Sequence, residues 1–349
     1  MTTKQWLLDN LKDYRKPVSA SAMADGLGCE MKYLLRSKWR LRPRVSPFSK
    51  GASTGKYVHR LDEVGPDGVD TVREEVIREH GKLLKEIREG GDLTGSLLIK
   101  AKGIGETLDK AIAIAKIYWE KFPPKDYIKT ICREETLEET ITTELGELPT
   151  LNRLDRIDID TRNGGVWLRD TKTTTQGFDS VLTGYLWCAQ CRMYRVAATS
   201  WLKRSETEGA IRGFILDMIA VPGIKYCPNT KDAETKGGFN HYIQRVKEWY
   251  QTAETKAKAM GQSPETMTSM AIQFNEPLLN REFLQGLTRI HKMWLEDPVP
   301  EKFSRDLTRA HCFKYRKKCP YFDLCNSDVS AWPSLIEQSY EIREDQKKG

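Results

Sequence analysis

The stretch RLDRIDIDTRNGGVWLRDTKTTT, residues 153–175, constrains this chain more than any other. Two runs of alternating, β-branched character flank an Asn163-Gly164 pair, the chemistry of a tight hairpin. Side chains two apart on a strand share a face and lie roughly 7 Å apart. Asp170 and Lys172 therefore share a face with Val166 and Leu168, and Asp155 shares one with Ile157 and Ile159. Pairing around the turn brings Asp155 to the Asp170–Lys172 end of that face. Two carboxylates and an ammonium then meet at the margin of an apolar surface. Such oxygen donors suit a hard cation such as Mg²⁺. A lysine beside them can orient or deprotonate a water and stabilise charge on a phosphate under in-line attack. A surface salt bridge is the plainer reading of Asp-x-Lys taken alone.

Around this hairpin the chain, 349 residues long, changes texture twice. Residues 1–130 read as helical, interrupted by the basic loop RLRPRVSPFSKGAS, with apolar residues at helical spacing through ETLDKAIAIAKIYWEKF. Residues 131–222 read as a mixed α/β core. There ETITTELGEL, LNRLDRIDID and GVWLRDTKTTT are expected as strands, SVLTGYLWCAQCRMYRVAA as one helix and AIRGFILDMIAVPG as a buried strand. Residues 223–349 return to helix at 238–261 and 277–298, giving one integrated domain with a helical tail. No apolar run approaches the roughly 18 residues of a membrane span. The opening MTTKQWLLDNLKDYRK has no signal-peptide core, so a cytoplasmic location is expected.

In that compartment eight cysteines are ligands or buried thiols rather than disulfides. Three lie in HCFKYRKKCPYFDLC, residues 311–325, and a fourth, Cys29, is near the N-terminus. The net charge of +7 is modest, but RSKWRLRPR (36–44) and KYRKK (314–318) concentrate it beside those cysteines. Paired basic clusters favour a polyanion, since lysine and arginine gain by displacing counterions from phosphates. Trp39, Tyr315 and Tyr321 lie among these charges, either to stack on bases or to pack.

Two further pairs flank the hairpin in sequence. Gly55 precedes His59 by four residues, on one helical face, where a missing side chain admits another backbone or a ligand. Gln190 and Tyr194 stand at i and i+4 on the following helix, able to point back over the strand tips or simply to pack. The order Gly-x-x-x-His, Asp, Asp-x-Lys, Gln-x-x-x-Tyr resembles the RecB-like branch of the PD-(D/E)xK nuclease superfamily. That likeness runs from about residue 19 to 326, opening on VSASAMADGLGCEMKYLL and closing on CPYFDLC. It implies a restriction-endonuclease-like core with a mixed central sheet.

The resemblance also implies roles. His59, Asp155 and Asp170, with the Thr171 carbonyl, would hold Mg²⁺ or Mn²⁺. Asp155, Asp170 and Lys172 would form the catalytic set, and Gln190 and Tyr194 would support the site or touch the DNA backbone. Some relatives add a glutamate from the preceding strand, for which Glu135, Glu138 and Glu139 compete. In the iron–sulfur members one N-terminal and three C-terminal cysteines hold a 4Fe-4S cluster. Here these would be Cys29, Cys312, Cys319 and Cys325, with structural zinc as the alternative. The interval between Cys312 and Cys319 is longer than in several members. Cys132, Cys188, Cys191 and Cys227 are left as buried thiols, Cys188-x-x-Cys191 included.

The activity so implied is a DNA exonuclease acting on single strands or ends, in recombination, repair or phage DNA metabolism. One alternative is a nuclease subunit dependent on a helicase or a CRISPR adaptation partner. Others are a DNA-end-binding protein that does not cut and a redox-responsive regulator.

Overall fold

The computed structural model describes residues 2–11, 13–44, 49–90, 96–175, 177–186, 188–224, 238–261, 266–273, 277–306, 310–313 and 318–343. The chain opens with α1 (Thr3–Asn10) and α2 (Ala20–Gly28). Ser19 caps α2, its hydroxyl accepting from the Ala22 amide at 3.2 Å. Cys29 breaks the chain into extended backbone before α3 (Glu30–Tyr33), which runs into a π-helical turn at Leu34–Lys38 and then β1 (Leu41–Pro43). The rest of the region expected to be helical, up to residue 121, forms α4 (Lys50–Val64), α5 (Val69–Arg88) and α6 (Ser96–Lys121).

Next comes a long antiparallel hairpin, β2 (Ile128–Thr143) with β3 (Gly146–Asp160), and then β4 (Gly165–Thr174). ETITTELGEL is therefore not a single strand. It turns over at residues 144–145, and Gly146 takes the positive φ of 111° on leaving the turn, a conformation open to glycine. The β3–β4 turn spans 161–164 and closes on Gly164 at φ 64°. α7 (Phe178–Leu186) and α8 (Ala189–Arg204) then cross over to β5 (Ile211–Ala220), parallel to β4. Past β5 lie α9 (Gly238–Ala259), β6 (Met267–Gln273), α10 (Pro277–Leu295), α11 (Phe322–Asn326), α12 (Trp332–Ser339) and β7 (Tyr340–Ile342).

The central sheet has the order β2-β3-β4-β5-β6, mixed because only β4 and β5 run parallel. The fold is thus mixed α/β around a mixed central sheet, as the sequence implied. β6 was missing from that expectation. Its side chains are mostly solvated, so it carries little apolar alternation, and its pairing with β5 makes it a strand. On one face Ile157, Leu168, Phe214 and Leu216 pack under Tyr185, Tyr194 and Ala197 of α7 and α8. A second core joins Leu61, Ile112, Val246 and Ile219 beneath α4, α6 and α9.

A third core gathers both chain ends. Leu34, Leu35, Trp39, Leu287, Leu324 and Trp332 meet there, and β1 pairs with β7. This core absorbs aromatics that the sequence offered as base-stacking residues. Trp39 is 1% exposed and meets Trp332 edge to face at 6.1 Å, while Tyr321 donates its hydroxyl to the Leu41 carbonyl at 2.6 Å. Tyr315 and Cys227 lie outside the described residues, as do 314–317 of the second basic cluster. Within the first cluster, Lys38 is buried. It donates to the carbonyls of Met293, Trp294 and Glu296 at 3.3, 3.0 and 2.5 Å, closing the C-terminal end of α10, where a cation is favoured. Lys32, Arg36, Arg40, Arg42 and Arg343 instead line an open cleft of about 360 Å³.

Candidate active site

Hydrogen-bonded pairing between β3 and β4 ends at Arg156↔Arg169, whereas β3 continues along β2 and β4 along β5. The sheet therefore opens like a fork. Asp155 and Asp170 stand across it, one residue beyond the last pair. On the face away from Asp170, Arg169 holds the base of the fork. It donates to Asp217 and to the Tyr118 hydroxyl at 3.1 Å, and pairs with Asp158 at 3.5 Å. Asp158 and Asp217 are fully buried, and this ionic layer was not foreseen from the sequence.

Within the fork, Asp170 is 1% exposed, with the Lys172 ammonium 2.9 Å from Oδ1 and 2.6 Å from Oδ2. His59 Nδ1 lies 3.4 Å from Asp155 Oδ2. His59 gets there because α4 lies close against β4. A Cβ on Gly55 would meet Thr173 Oγ1 at 2.7 Å, so the expected close approach at this glycine is to a strand side chain. Gln190 and Tyr194 bond to each other, Nε2 donating to the phenolic oxygen at 2.9 Å. Tyr194 also stacks on Phe214. The Thr171 side chain donates to Asp62 at 3.4 Å.

The third carboxylate of the site is one the sequence reading passed over. His59, Glu134 and Asp155 each place one donor atom within 4.8 Å of the other two. Glu134 has a left-handed φ of 49° and falls between the pairs Arg133↔Arg156 and Glu135↔Leu154, opposite Asp155. The register of β2 has already shifted between Thr130 and Cys132. The glutamates weighed for this place lie elsewhere. Glu135 accepts from Trp201 Nε1 at 3.1 Å, Glu139 pairs with Arg204 at 2.5 Å, and Glu138 is exposed. A signal did exist: Cys132 and Leu137 pack in the same core at an odd separation, which a regular strand does not allow without a bulge.

Electrostatics sharpen the picture. Burial, opposed by Lys172 and reinforced by the Asp155 charge, pushes the Asp170 carboxyl up to about 7. Burial works against ionisation of Asp155 as well, but the His59 hydrogen bond, the Asp170 proton and the charges of His59 and Lys172 hold it at about 2. The two carboxyls are thus pushed in opposite directions, Asp170 holding its proton far more tightly than Asp155. Lys172 is held above its ordinary value. Burial favours its neutral form, yet the charges of Asp170 and Asp155 win. The Oδ2 atoms of both aspartates are buried without an aligned hydrogen-bond donor, which a cation would satisfy. A cleft of about 340 Å³ leads to Glu134 and Asp155, and its cations Lys56, Arg60 and Arg153 are paired with Glu79, Glu75 and Glu134.

At the other end of the molecule Cys29, Cys319 and Cys325 pack around the third core, and the Cys319 amide donates to the Cys312 carbonyl at 2.7 Å. Burial, followed by the facing thiols of Cys29 and Cys319 and, more weakly, Cys312, pushes the Cys325 thiol up to about 12. Cys29, Cys319 and Cys325 thus lie against the core that joins the chain ends, while among the described residues the one group at metal-ligand distances is His59, Glu134 and Asp155.

A split mixed sheet bearing Asp, Asp-x-Lys and a histidine–glutamate pair at its fork defines a metal-dependent phosphodiesterase site. The sequence model of the PD-(D/E)XK nuclease superfamily matches residues 17–326, and the chain belongs to that superfamily. No curated protein sequence matches the chain. Among the described residues no helix is long and apolar enough to cross a membrane.

Proposed function

We propose that the chain is a Mg²⁺- or Mn²⁺-dependent DNA exonuclease, acting on single strands or on ends. The observation that carries the reading is the grouping of His59, Glu134 and Asp155 at metal-ligand distances, with Asp170 across the fork from Asp155 and paired with Lys172. The first four residues would hold the cation, with the Thr171 carbonyl as a further donor. When bound, the cation supplies Lewis-acid stabilisation of charge on the scissile phosphate. Lys172, which the charges of its two aspartates favour in the protonated form, would donate to the attacking water and to phosphate oxygens and so position the water. Gln190 orients the Tyr194 hydroxyl beside the same carboxylates. Arg36, Arg40, Arg42 and Arg343 would carry the DNA backbone past the cysteine end of the molecule.

Cys29, Cys312, Cys319 and Cys325 would hold a 4Fe-4S cluster that ties the chain ends together. The thiols of Cys29, Cys319 and, more weakly, Cys312 act against ionisation of Cys325 beyond the effect of burial, and bound iron would offset that repulsion. The test uses anaerobically purified protein with end-labelled single-stranded and duplex DNA, with Mg²⁺ or Mn²⁺, beside Lys172→Ala. Metal-dependent shortening by the wild type alone supports the reading, and labelling each end in turn gives the polarity. Binding without cutting under every metal condition refutes a stand-alone nuclease and favours a helicase- or adaptation-dependent subunit. Iron and acid-labile sulfide, lost in Cys325→Ser, separate the cluster from zinc.

A further inference from the structure

Cys188 and Cys191 have no part in the chemistry above, yet their placement is specific. The helix expected over 180–198 is interrupted, and Cys188 is extended (φ −77°, ψ 146°) at the N-cap of α8. That puts Cys191 at the third helical position, one turn along the same face. An N-cap side chain lies over the open amides of the first turn, and although the Cys188 sulfur makes no aligned capping hydrogen bond, the backbone amides of Cys191 and Gln190 favour its ionised form. The two Sγ atoms are 3.5 Å apart. Cys191 is buried against the Tyr185 carbonyl, 3.2 Å from its sulfur, whereas Cys188 is half-buried and reachable by a small reagent.

The two thiols are also electrostatically divided. The Cys191 hydrogen bond, opposed by burial and aided by the amides of Cys191 and Gln190 and then by the Lys172 charge, lowers Cys188 to about 6. Burial drives Cys191 far the other way. One sulfur is therefore a nucleophilic thiolate near neutrality and the other a protonated partner in reach, the division of labour that thiol–disulfide exchange requires.

We propose that Cys188 and Cys191 form a redox-active dithiol at the edge of the active site that closes into a disulfide with oxidants of the disulfide class. The Cys188 thiolate attacks one sulfur of the oxidant, forming a mixed disulfide and expelling the other half as a thiolate. The Cys191 thiol gives up its proton to solvent and attacks the Cys188 sulfur, expelling the second half. Two protein thiols are oxidised and one disulfide is reduced to two thiols. Closure draws the sulfurs from 3.5 Å to about 2.05 Å and cancels a negative charge beside Lys172. It also pulls on the turn that holds Gln190 against Tyr194. The effect on turnover rests on the nuclease reading, and ring closure does not.

The test incubates the intact holoprotein with oxidised glutathione, then maps the tryptic peptide 173–192, which contains both cysteines. Wild type should lose two hydrogens without retaining glutathione. Cys191→Ser should stop at a glutathione adduct on Cys188, and in Cys188→Ser the buried Cys191 should stay unmodified. Glutathione adducts that accumulate on wild type, or reaction of Cys191 in Cys188→Ser, would overturn the proposal. DNA cleavage by oxidised wild type should fall on the order of tenfold, as expected for a sub-ångström displacement at a catalytic constellation. It should recover with dithiothreitol, and cleavage by Cys188→Ser should not respond. Unchanged turnover in fully oxidised wild type refutes the coupling to the site while leaving the mapped bond in place.

Discussion

Asp170→Asn removes a charge that the fold holds at a cost. The carboxyl is essentially inaccessible, and burial with the Asp155 charge raises it from 3.8 to about 7 despite Lys172. Ionising it in the native state therefore costs about 4 kcal/mol relative to the unfolded chain. Because the native carboxyl binds its proton more tightly than the unfolded one, stability falls as pH rises from about 4 to about 7 and is level beyond. Asn mimics the neutral form, but its amide turns donors toward the Lys172 ammonium, which returns on the order of 1–2 kcal/mol. The metal-free variant should thus be more stable than wild type by about 2–3 kcal/mol at pH 8. At pH 5, where wild-type Asp170 keeps its proton, about a third of the charge cost remains and the advantage nearly disappears. Denaturation with chelator at both pH values reads this directly. Adding Mg²⁺ should stabilise wild type more at pH 8 than at pH 5, since binding must expel that proton, and should leave the variant unmoved. A variant less stable than wild type at pH 8, or a difference independent of pH, would refute the electrostatic account of the fork.

Lys172→Ala should lower DNA cleavage by at least about 100-fold while leaving DNA affinity in Ca²⁺ nearly intact, because it removes a donor needed only in the transition state. Single-turnover cleavage and a binding titration separate the two effects. Glu134→Gln should raise the divalent-ion concentration for half-maximal cleavage at least about tenfold, whereas Glu138→Gln, on the exposed face, should not change it. Gly55→Ala forces a methyl to within 2.7 Å of Thr173 Oγ1 and should cost about 1–3 kcal/mol of stability. Adding Thr173→Ala should recover most of that loss in thermal denaturation, and absence of rescue would place the strain elsewhere.

The site was legible where side-chain direction follows from local period, and illegible where it depends on a break in that period. Asp155, Asp170 and Lys172 could be placed on one face because β3 and β4 alternate regularly up to the fork, where pairing stops at Arg156↔Arg169. His59 could be placed because Gly55, one helical turn earlier, marks where α4 meets the sheet. Glu134 could not, since its direction comes from a left-handed φ in a strand whose register has already slipped. Strict alternation sends attention to its neighbours, and only the odd spacing of Cys132 and Leu137 betrays the irregular backbone at Glu134 between them. The helix break before Ala189 escapes the sequence for the same reason. A continuous helix over 180–198 makes Cys188 and Cys191 ordinary helical residues, whereas the break before Ala189 turns one of them into a cap. Both breaks lie near the carboxylates of the candidate site. A non-glycine residue at φ 49° is a conformation that regular strands avoid, and the surrounding contacts must maintain it. The irregularities are therefore not noise around the motif: the one at Glu134 sets a third carboxylate by His59 and Asp155, and the one at Cys188 sets a thiol within the field of Lys172. In this fold the period of the sequence locates the fork, and the departures from that period determine which further groups face it.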